Sequence, residues 1–401
     1  MQQRIIFHVD VNSAFLSWEA VYRLEVLGET LDLRTIPSAV GGDSTKRHGI
    51  ILAKSTSAKK FKVQTGEPIH QALQKCPELL LVPPNRPLYE KCSKSLHSLL
   101  HEYTPNIEPF SIDEAFMDMT GACFSYSSPL ELANLIRTRV YRELGFTVNI
   151  GISTNKLLAK MASDFEKPDK IHTLFPEEVQ EKLWSLPLEE LYSVGRSSSK
   201  TLRDLGLNTI GDIANTNLSV LKAHLGNKHG ERVYHYAHGR DASPVVSTPA
   251  PSKGIGNSTT LSQDVSDYEE ACQILLSLSE TVAARLRTEN LKSSCIMVEL
   301  TDCFFNHQSH QTTLLSPIHT TNLIYKTACQ LLKEFWNGTP IRLLGIRATK
   351  LGEEDYTQLN LFDLVKNEKL EKLDKALDDI RNRFGKDSVK RAAFLEPDKI
   401  D

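Results

Sequence analysis

Asp10-Val11-Asn12-Ser13-Ala14-Phe15 and Ser111-Ile112-Asp113-Glu114-Ala115-Phe116 decide how this chain is read. Each puts carboxylates at the end of, or just beside, an apolar run: Ile5 to Val11 in the first case, the stretch Asn106 to Met119 in the second. A short apolar run bounded by turn residues is the pattern of a buried strand. Carboxylates gathered at such strand ends form an all-oxygen site, and oxygen ligands suit Mg²⁺ or Mn²⁺. Neighbouring side chains on a flat strand point to opposite faces. Asp113 and Glu114 therefore reach one site together only if the backbone turns or bulges there.

Working outward, Ser13 to Leu27 carries apolar residues at helical spacing, and Thr35 to Val40 and Gly49 to Ala53 read as strands around the turn Gly41-Gly42-Asp43-Ser44. Ala58 to Val63 suggests a short basic helix, and Tyr89 to Tyr103 an amphipathic one. Pro129 to Leu144 reads as a helix, Thr147 to Ser153 as a strand, and Asn155 to Phe165 as a helix with Ser153 or Thr154 as its N-cap. Strand-helix-strand repeated in this order predicts a ferredoxin-like antiparallel sheet with helices on one face. Beyond Lys170 the pattern turns helical. Leu191 to Leu207 reads as a helix-hairpin-helix, whose turn offers backbone N–H groups to a phosphate without reading sequence. Asp241 to Lys253 is rich in Pro, Ser, Thr and Val without periodicity and reads as a linker. Four strands and two helices follow, a second α+β domain.

The bulk properties narrow the class. A chain of 401 residues favours two or three domains. Its net charge of -3 does not advertise nucleic-acid binding, but local basic patches matter more than the total. No apolar stretch has the length of a bilayer span or signal-peptide core. The cysteines number 7, with no Cys-x-x-Cys pair, which argues against a disulfide framework or zinc site and fits a reducing cytoplasm.

The two acidic segments, followed by Gly151-Ile152-Ser153-Thr154-Asn155-Lys156-Leu157-Leu158-Ala159-Lys160, resemble the Y-family (translesion) DNA polymerases, most closely their polymerase IV branch. The resemblance runs from about Ile5 to Phe362. It implies a multidomain α+β right hand: a palm from residues 1–20 and 83–168, small fingers at 21–82, a helical thumb at 169–240, a linker at 241–252, a little finger at 253–351 and a tail at 352–401. The implied activity is template-directed addition of deoxynucleotides to a primer 3′ end, with low fidelity, bypass of damaged DNA and no proofreading.

Nucleotidyl transfer needs charge neutralised at the attacking oxygen, the α-phosphate and the leaving pyrophosphate, which two Mg²⁺ ions supply, with Mn²⁺ able to substitute. Asp10 and Asp113 suit ligands shared by both ions, and Glu114 suits the ion nearer the primer hydroxyl. The resemblance adds the Val11 carbonyl as a neutral ligand. It makes Phe15 a steric gate against the 2′-hydroxyl and Lys160 a triphosphate contact, with Lys156 a weaker candidate. Thr56 stands where the family commonly has Tyr, and Lys59 where it has Arg. A lysine does not reproduce a bidentate guanidinium. Ala14 takes a place that is often aromatic, and Ser193 one that is usually Gly.

In the little finger, Arg285, Arg287, Lys292, Arg342, Arg347 and Lys350 are candidate phosphate contacts. In the tail, Gln358, Leu359, Leu361 and Phe362 look like a peptide for the bacterial sliding clamp, which raises the effective concentration at the primer end by tethering. Leu370, Leu373, Leu377, Ile380 and Phe384 then fall at coiled-coil-like spacing. The expected partners are primer-template DNA, deoxynucleoside triphosphates and the clamp, for a cytoplasmic monomer with no membrane association. Three other readings share parts of the pattern: a palm-fold nucleotide cyclase, a non-catalytic clamp-binding relative, and a polymerase V-like enzyme needing accessory proteins. The hairpin, the second α+β domain and the clamp-like peptide argue against the first, and intact Asp10, Asp113 and Glu114 against the second.

Overall fold

Six consecutive buried residues, Ile6–Val11, form the strand β1 on which the first half of the molecule is built. The computed structural model describes residues 4–42, 49–248, 250–352, 364–385 and 387–392. The chain divides into two units, Met1–Pro249 and Ala250–Asp401. After β1 come α1 (Ala14–Glu25), β2 (Ser38–Gly41), β3 (Ile51–Lys54), α2 (Thr56–Lys60), α3 (Ile69–Lys75), β4 (Leu80–Val82), α4 (Arg86–His101), β5 (Ile107–Pro109), β6 (Glu114–Asp118), α5 (Pro129–Leu144), β7 (Val148–Ser153), α6 (Lys156–Asp164) and β8 (Ile171–Thr173). Helices α7 (Val179–Lys182), α8 (Arg196–Asp204), α9 (Ile210–Asn215), α10 (Leu218–Leu225) and α11 (Asn227–Ala237) complete the first unit.

The central sheet has the order β5-β6-β1-β7-β8. Alternation along β1 sends Phe7, Val9 and Val11 into the core that Leu96, Leu99 and Ile136 of α4 and α5 also fill. Ile6 packs instead with Phe116 and with Ala159 of α6. Helices therefore cover both faces, not one, because β1 is buried on both. The sheet also departs from a purely antiparallel one, since β8 runs parallel to β7. Register places Asp10 opposite Glu114 and His8 opposite Phe116 on one side, and His8 opposite Gly151 on the other.

Gly151 fixes how closely α6 approaches. A Cβ there would lie 1.9 Å from the Ala159 carbonyl oxygen and 2.5 Å from the Ser163 nitrogen. The N-cap of α6 is Asn155, whose side chain accepts from the Leu158 N–H at 2.9 Å. Ser153, one of the two caps expected, is not available, because its hydroxyl donates to the Leu174 carbonyl.

A second, small sheet of order β3-β2-β4 has its own core of Ala39, Ile51, Ala58, Val63 and Ile69. Helix α2 begins earlier than the expected Ala58 because Ser55 caps it, accepting from the Ala58 N–H at 3.0 Å. Helices α7 to α11 pack around Leu183, Leu202, Ile213 and Val233. In the α8 hairpin, Ser193 adopts φ 74°, a left-handed conformation that favours glycine. The stretch from Asp241 is extended and anchored: the Val246 N–H donates to Glu108 at 2.8 Å, and Val245 packs on Ile6 and Phe116.

The second unit contains β9 (Gly254–Val265), α12 (Tyr268–Thr288), β10 (Lys292–Asp302), β11 (His307–Ile318), α13 (Thr321–Phe335), β12 (Ile341–Gly352) and α14 (Leu364–Phe384). Its sheet has the order β11-β10-β12-β9, antiparallel throughout. Leu275 and Val282 of α12 and Leu332 of α13 share a core with Ile296, Val298 and Ile346 of the sheet. The tail helix α14 is tied to its domain by charged pairs, with only Leu370 and Leu377 of its seam half-buried. Arg287 donates to Asp374 at 3.2 Å and to Asp378 at 2.6 Å, and Asp374 accepts the Thr321 N–H at 2.7 Å. Leu373, Ile380 and Phe384 remain exposed. Arg287 is thereby committed to the tail, and Arg342 pairs with Asp264 at 3.3 Å.

Among the described residues no helix is long and apolar enough to cross a membrane. All seven cysteines are free thiols. One substitution tests the packing of α6. Gly151→Ala forces backbone apart, and overpacking of this kind costs roughly 3 kcal/mol. Urea denaturation of the variant is expected to show that loss, whereas Gly121→Ala, with open space around it, stays near the parent.

Candidate active site

The acidic centre follows from the sheet register. Asp10 lies one residue before the end of β1, on the side facing α6 and two residues beyond His8, and Glu114 begins β6 directly across from it. Before β6 the backbone turns through Ser111, Ile112 and Asp113, the turn that adjacent carboxylates require. Two hydrogen bonds fix it: the Val11 N–H donates to the Asp113 carbonyl at 3.0 Å, and the Ser111 hydroxyl donates to Asp113 Oδ1 at 2.5 Å.

A cavity of about 610 Å³ opens between this turn and the small sheet. Asp10, Val11, Phe15, Thr56, Lys59, Asp113 and Glu114 all line it. Phe15 is held by stacking on Tyr89, with ring centroids 4.5 Å apart and planes 8° from parallel. The Tyr89 hydroxyl donates to Glu19 at 3.0 Å, so the ring beneath Phe15 is itself anchored. Thr56 and Lys59 sit on α2, both exposed to the opening. Lys160 reaches the centre from α6 and donates to Glu114 Oε2 at 2.6 Å. Lys156 faces away from it, donating to both Glu108 oxygens at 2.7 Å. Gln358, Leu359, Leu361 and Phe362 lie outside the described residues.

The carboxylates are neutralised unequally. Burial disfavours the charge on Asp10, and although Lys167 pulls the other way, its pKa is raised to about 6. Burial also opposes ionisation of Glu114, but hydrogen bonds from His8 and Lys160 outweigh it and hold the pKa at about 2. Lys167 donates to Asp10 and, at 2.8 Å, to Asp164. Burial works against its charge, yet those carboxylates lift its pKa above the usual lysine value.

Among the described residues no three carboxylate, histidine or cysteine side chains are drawn into a ready-made metal cage. The donor set nevertheless fits a hard divalent cation. It is all oxygen, it opens on a cavity, and buried Asp10 lacks enough positive charge nearby to ionise readily.

Three residues of the site escaped the sequence reading. His8 hides inside an apolar run, where a histidine signals nothing by itself. Lys167 lies beyond α6, and only the folded chain returns it to Asp10. Lys54 ends β3 in the cavity wall, its pKa lowered by burial and by the charge of Lys59. Its place beside Ser55-Thr56 was the one available signal.

Clustered carboxylates on a central sheet beside a lysine-bearing helix, followed by a helical hairpin region and a separate α+β unit, define a nucleotidyltransferase of the polymerase class. Residues 9–164 match the impB/mucB/samB family, residues 189–241 the DNA polymerase-iota thumb domain, and residues 252–361 the impB/mucB/samB family C-terminal domain. A DNA polymerase IV of Clostridium acetobutylicum is 44% identical over 99% of both chains. DNA polymerase IV 1 of Bacillus subtilis is 37% identical over 99% of this chain and 95% of its own. A solved Y-family polymerase chimera, Dbh-Dpo4(243-245)-Dbh, superposes with a TM-score of 0.74 at 25% identity, covering 86% of this chain and 98% of its own. The chain belongs to the Y-family DNA polymerases, in the DNA polymerase IV group, and is a DNA-directed DNA polymerase of the translesion type. Membership carries a divalent-metal requirement.

The raised pKa of Asp10 has a testable sign. Its value near 6 exceeds the unfolded value of roughly 3.9. Its contribution to stability is therefore complete below the unfolded value and lost as pH rises through about 6. A divalent cation held by Asp10 would favour the carboxylate and reverse the loss, whereas Glu114, at about 2, stays ionised throughout. The rise in Tm on adding Mn²⁺ is expected to be at least about 3 °C larger at pH 8 than at pH 5. Equal shifts at both pH values in differential scanning fluorimetry would contradict the assignment.

Proposed function

We propose that this polymerase extends a primer by two-metal nucleotidyl transfer, with Asp10, Asp113, Glu114 and the Val11 carbonyl holding two Mg²⁺ ions, or Mn²⁺ in their place. The observation that carries the reading is the one cavity in which Asp10, Asp113 and Glu114 meet Phe15, Lys54 and Lys59. Bound there, the ions supply Lewis-acid stabilisation of charge at the attacking oxygen, the α-phosphate and the departing pyrophosphate. The residues of the chain bind and orient. The flat face of Phe15, braced by Tyr89, lies where a deoxyribose would rest and excludes a 2′-hydroxyl by contact.

Thr56 donates a hydroxyl, and Lys59 and Lys160 contribute charge to the triphosphate oxygens. Lys54 adds another cation to that wall. Point charges in place of a guanidinium fork hold phosphates with less directional constraint. Lys160 exchanges its Glu114 partner for phosphate when substrate arrives.

In this reading residues 1–20 and 83–168 form the palm, 21–82 the fingers, 169–240 the thumb, 241–252 the linker, 253–351 the little finger and 352–401 the tail. The hairpin at Ser193 to Arg196 grips a DNA phosphate through backbone N–H groups. Arg285 and Arg347 line a common cavity of about 530 Å³ and supply phosphate contacts in the little finger. Gln358, Leu359, Leu361 and Phe362 bind the bacterial sliding clamp. The enzyme works as a monomer in the cytoplasm, copying damaged template with low fidelity and without proofreading.

Primer extension by the purified chain with Mg²⁺ and deoxynucleotides tests the reading. Asp113→Ala is expected to reduce the rate at least about a hundredfold, since charge stabilisation of several kcal/mol is removed. No extension by the unmodified chain on primer-template it demonstrably binds refutes the reading. Phe15→Ala is expected to lower discrimination against ribonucleotides roughly a hundredfold in single-nucleotide incorporation. Unchanged discrimination removes the steric gate from Phe15.

A further inference from the structure

His8 takes no part in the chemistry above, yet it is fully buried and hydrogen-bonded to a residue of the acidic centre. Its Nδ1 lies 2.8 Å from Ser163 Oγ and its Nε2 3.1 Å from Glu114 Oε2. Its ring rests against Phe116, with centroids 4.6 Å apart. An imidazole inside a sheet is costly unless both nitrogens are paired. Phe7 and Val9, its neighbours in the strand, fill their space without that demand.

Proton counting fixes the arrangement. An ionised carboxylate only accepts, so Nε2 must carry hydrogen, and in a neutral imidazole Nδ1 then accepts. The Ser163 hydroxyl must therefore donate to Nδ1. That hydroxyl also lies 2.7 Å from the Lys160 carbonyl. If its one proton went there, Nδ1–H would donate to Ser163 and the Nε2 lone pair would face Glu114. An imidazolium would avoid that conflict and would donate to Glu114 through the same Nε2–H, so the contact with the carboxylate is the same in both cases.

We propose that His8 is a positioning residue for Glu114. Ser163 selects the Nε2–H tautomer, and the Nε2–H holds the Glu114 carboxylate in place. Lys160 and Ser163 are three residues apart on α6 and share a face. The helix thus gives Glu114 two partners of different kinds. Lys160 is a long, movable cation at 2.6 Å. His8 is a short side chain locked in the core. When Lys160 turns to the triphosphate, His8 remains, so Glu114 meets the metal without having to be reoriented. The inference rests on the polymerase reading above, in which Glu114 is a metal ligand.

Three variants test it. His8→Phe keeps a ring and removes the donor. His8→Gln restores an N–H near the Nε2 position. Ser163→Ala frees the tautomer without entering the cavity. Second-sphere partners of metal ligands typically contribute 10–100-fold to affinity, so Mn²⁺ binding followed by electron paramagnetic resonance is expected to weaken about tenfold in His8→Phe. His8→Gln is expected to recover most of that loss, and kcat to follow the same order with the KM for nucleotide little changed. In imidazole ¹⁵N–¹H correlation spectra, with His8 assigned by the signal lost in His8→Gln, the parent should show the Nε2–H tautomer and Ser163→Ala a mixture.

Equal Mn²⁺ affinity in the parent and a folded His8→Phe reduces His8 to packing and overturns the proposal. So does an Nδ1–H tautomer in the parent, a spectrum that can be read even if His8→Phe fails to fold. A parent protein that binds primer-template but never extends it strikes the polymerase reading instead, and the tautomer spectrum separates the two failures.

Discussion

The backbone of α6 lies directly on β7 at Gly151, and the acidic centre depends on that contact. No side chain other than hydrogen fits, since a Cβ would meet the Ala159 carbonyl oxygen at 1.9 Å. Such closeness brings Ser163 to His8 and Lys160 to Glu114, contacts that a helix at ordinary side-chain distance from the sheet does not make. The same approach buries Ala159 against Ile6 and Phe116, so the strand carrying Asp10 is clamped between two apolar layers. Rigidity at the acidic edge is thus a consequence of packing several residues away. Preorganised ligands need supporting contacts of this kind.

On that frame, charge is distributed unevenly and usefully. Glu114 is surrounded by donors and is ionised far below neutral pH. Asp10 is buried with one principal counter-charge, Lys167, and sits near the point of losing its proton. The two lysines act as interim counter-ions at the two carboxylates. Both are on flexible stems, so in the proposed reaction each can leave as metal and phosphate arrive, without moving the backbone. A permanently paired arginine in either place would hold its carboxylate in a bidentate fork and make that exchange more costly.

Much of this was legible in the chain, because strand and helix periods are local properties. The short apolar run Ile5 to Val11 announced β1, and the adjacency of Asp113 and Glu114 demanded the turn that is found. What could not be read depended on chain segments far apart in sequence. Whether helices lie on one face or two depends on where α6 returns, and Gly151 has no pattern that says so. Ser153 failed as a cap because its hydroxyl is used by the Leu174 carbonyl across the fold. The leucine spacing in the tail suggested an apolar seam, yet α14 meets its domain through Asp374 and Asp378, since Arg287 and the start of α13 present unsatisfied donors there. His8 and Lys167 were invisible for the same reason. Each matters only through a partner more than one hundred residues away.

The two walls of the cavity differ in how firmly they hold their residues, and this difference bears on selectivity. On one side the ring of Phe15, proposed to face the sugar, is braced by Tyr89 and, through it, by Glu19. On the other, Thr56 and Lys59 project from a helix of only five residues, fastened by the Ser55 cap and by Ala58 in the small-sheet core. A rigid wall discriminates by shape, because yielding would disturb a packed core. A wall of flexible cations attracts any triphosphate and demands little of its geometry. With the roles proposed for them, the two walls together favour an enzyme strict about the sugar and permissive about how the rest of the nucleotide sits. That combination suits synthesis opposite distorted template bases, where the incoming nucleotide must be accepted in more than one pose but must still be a deoxynucleotide.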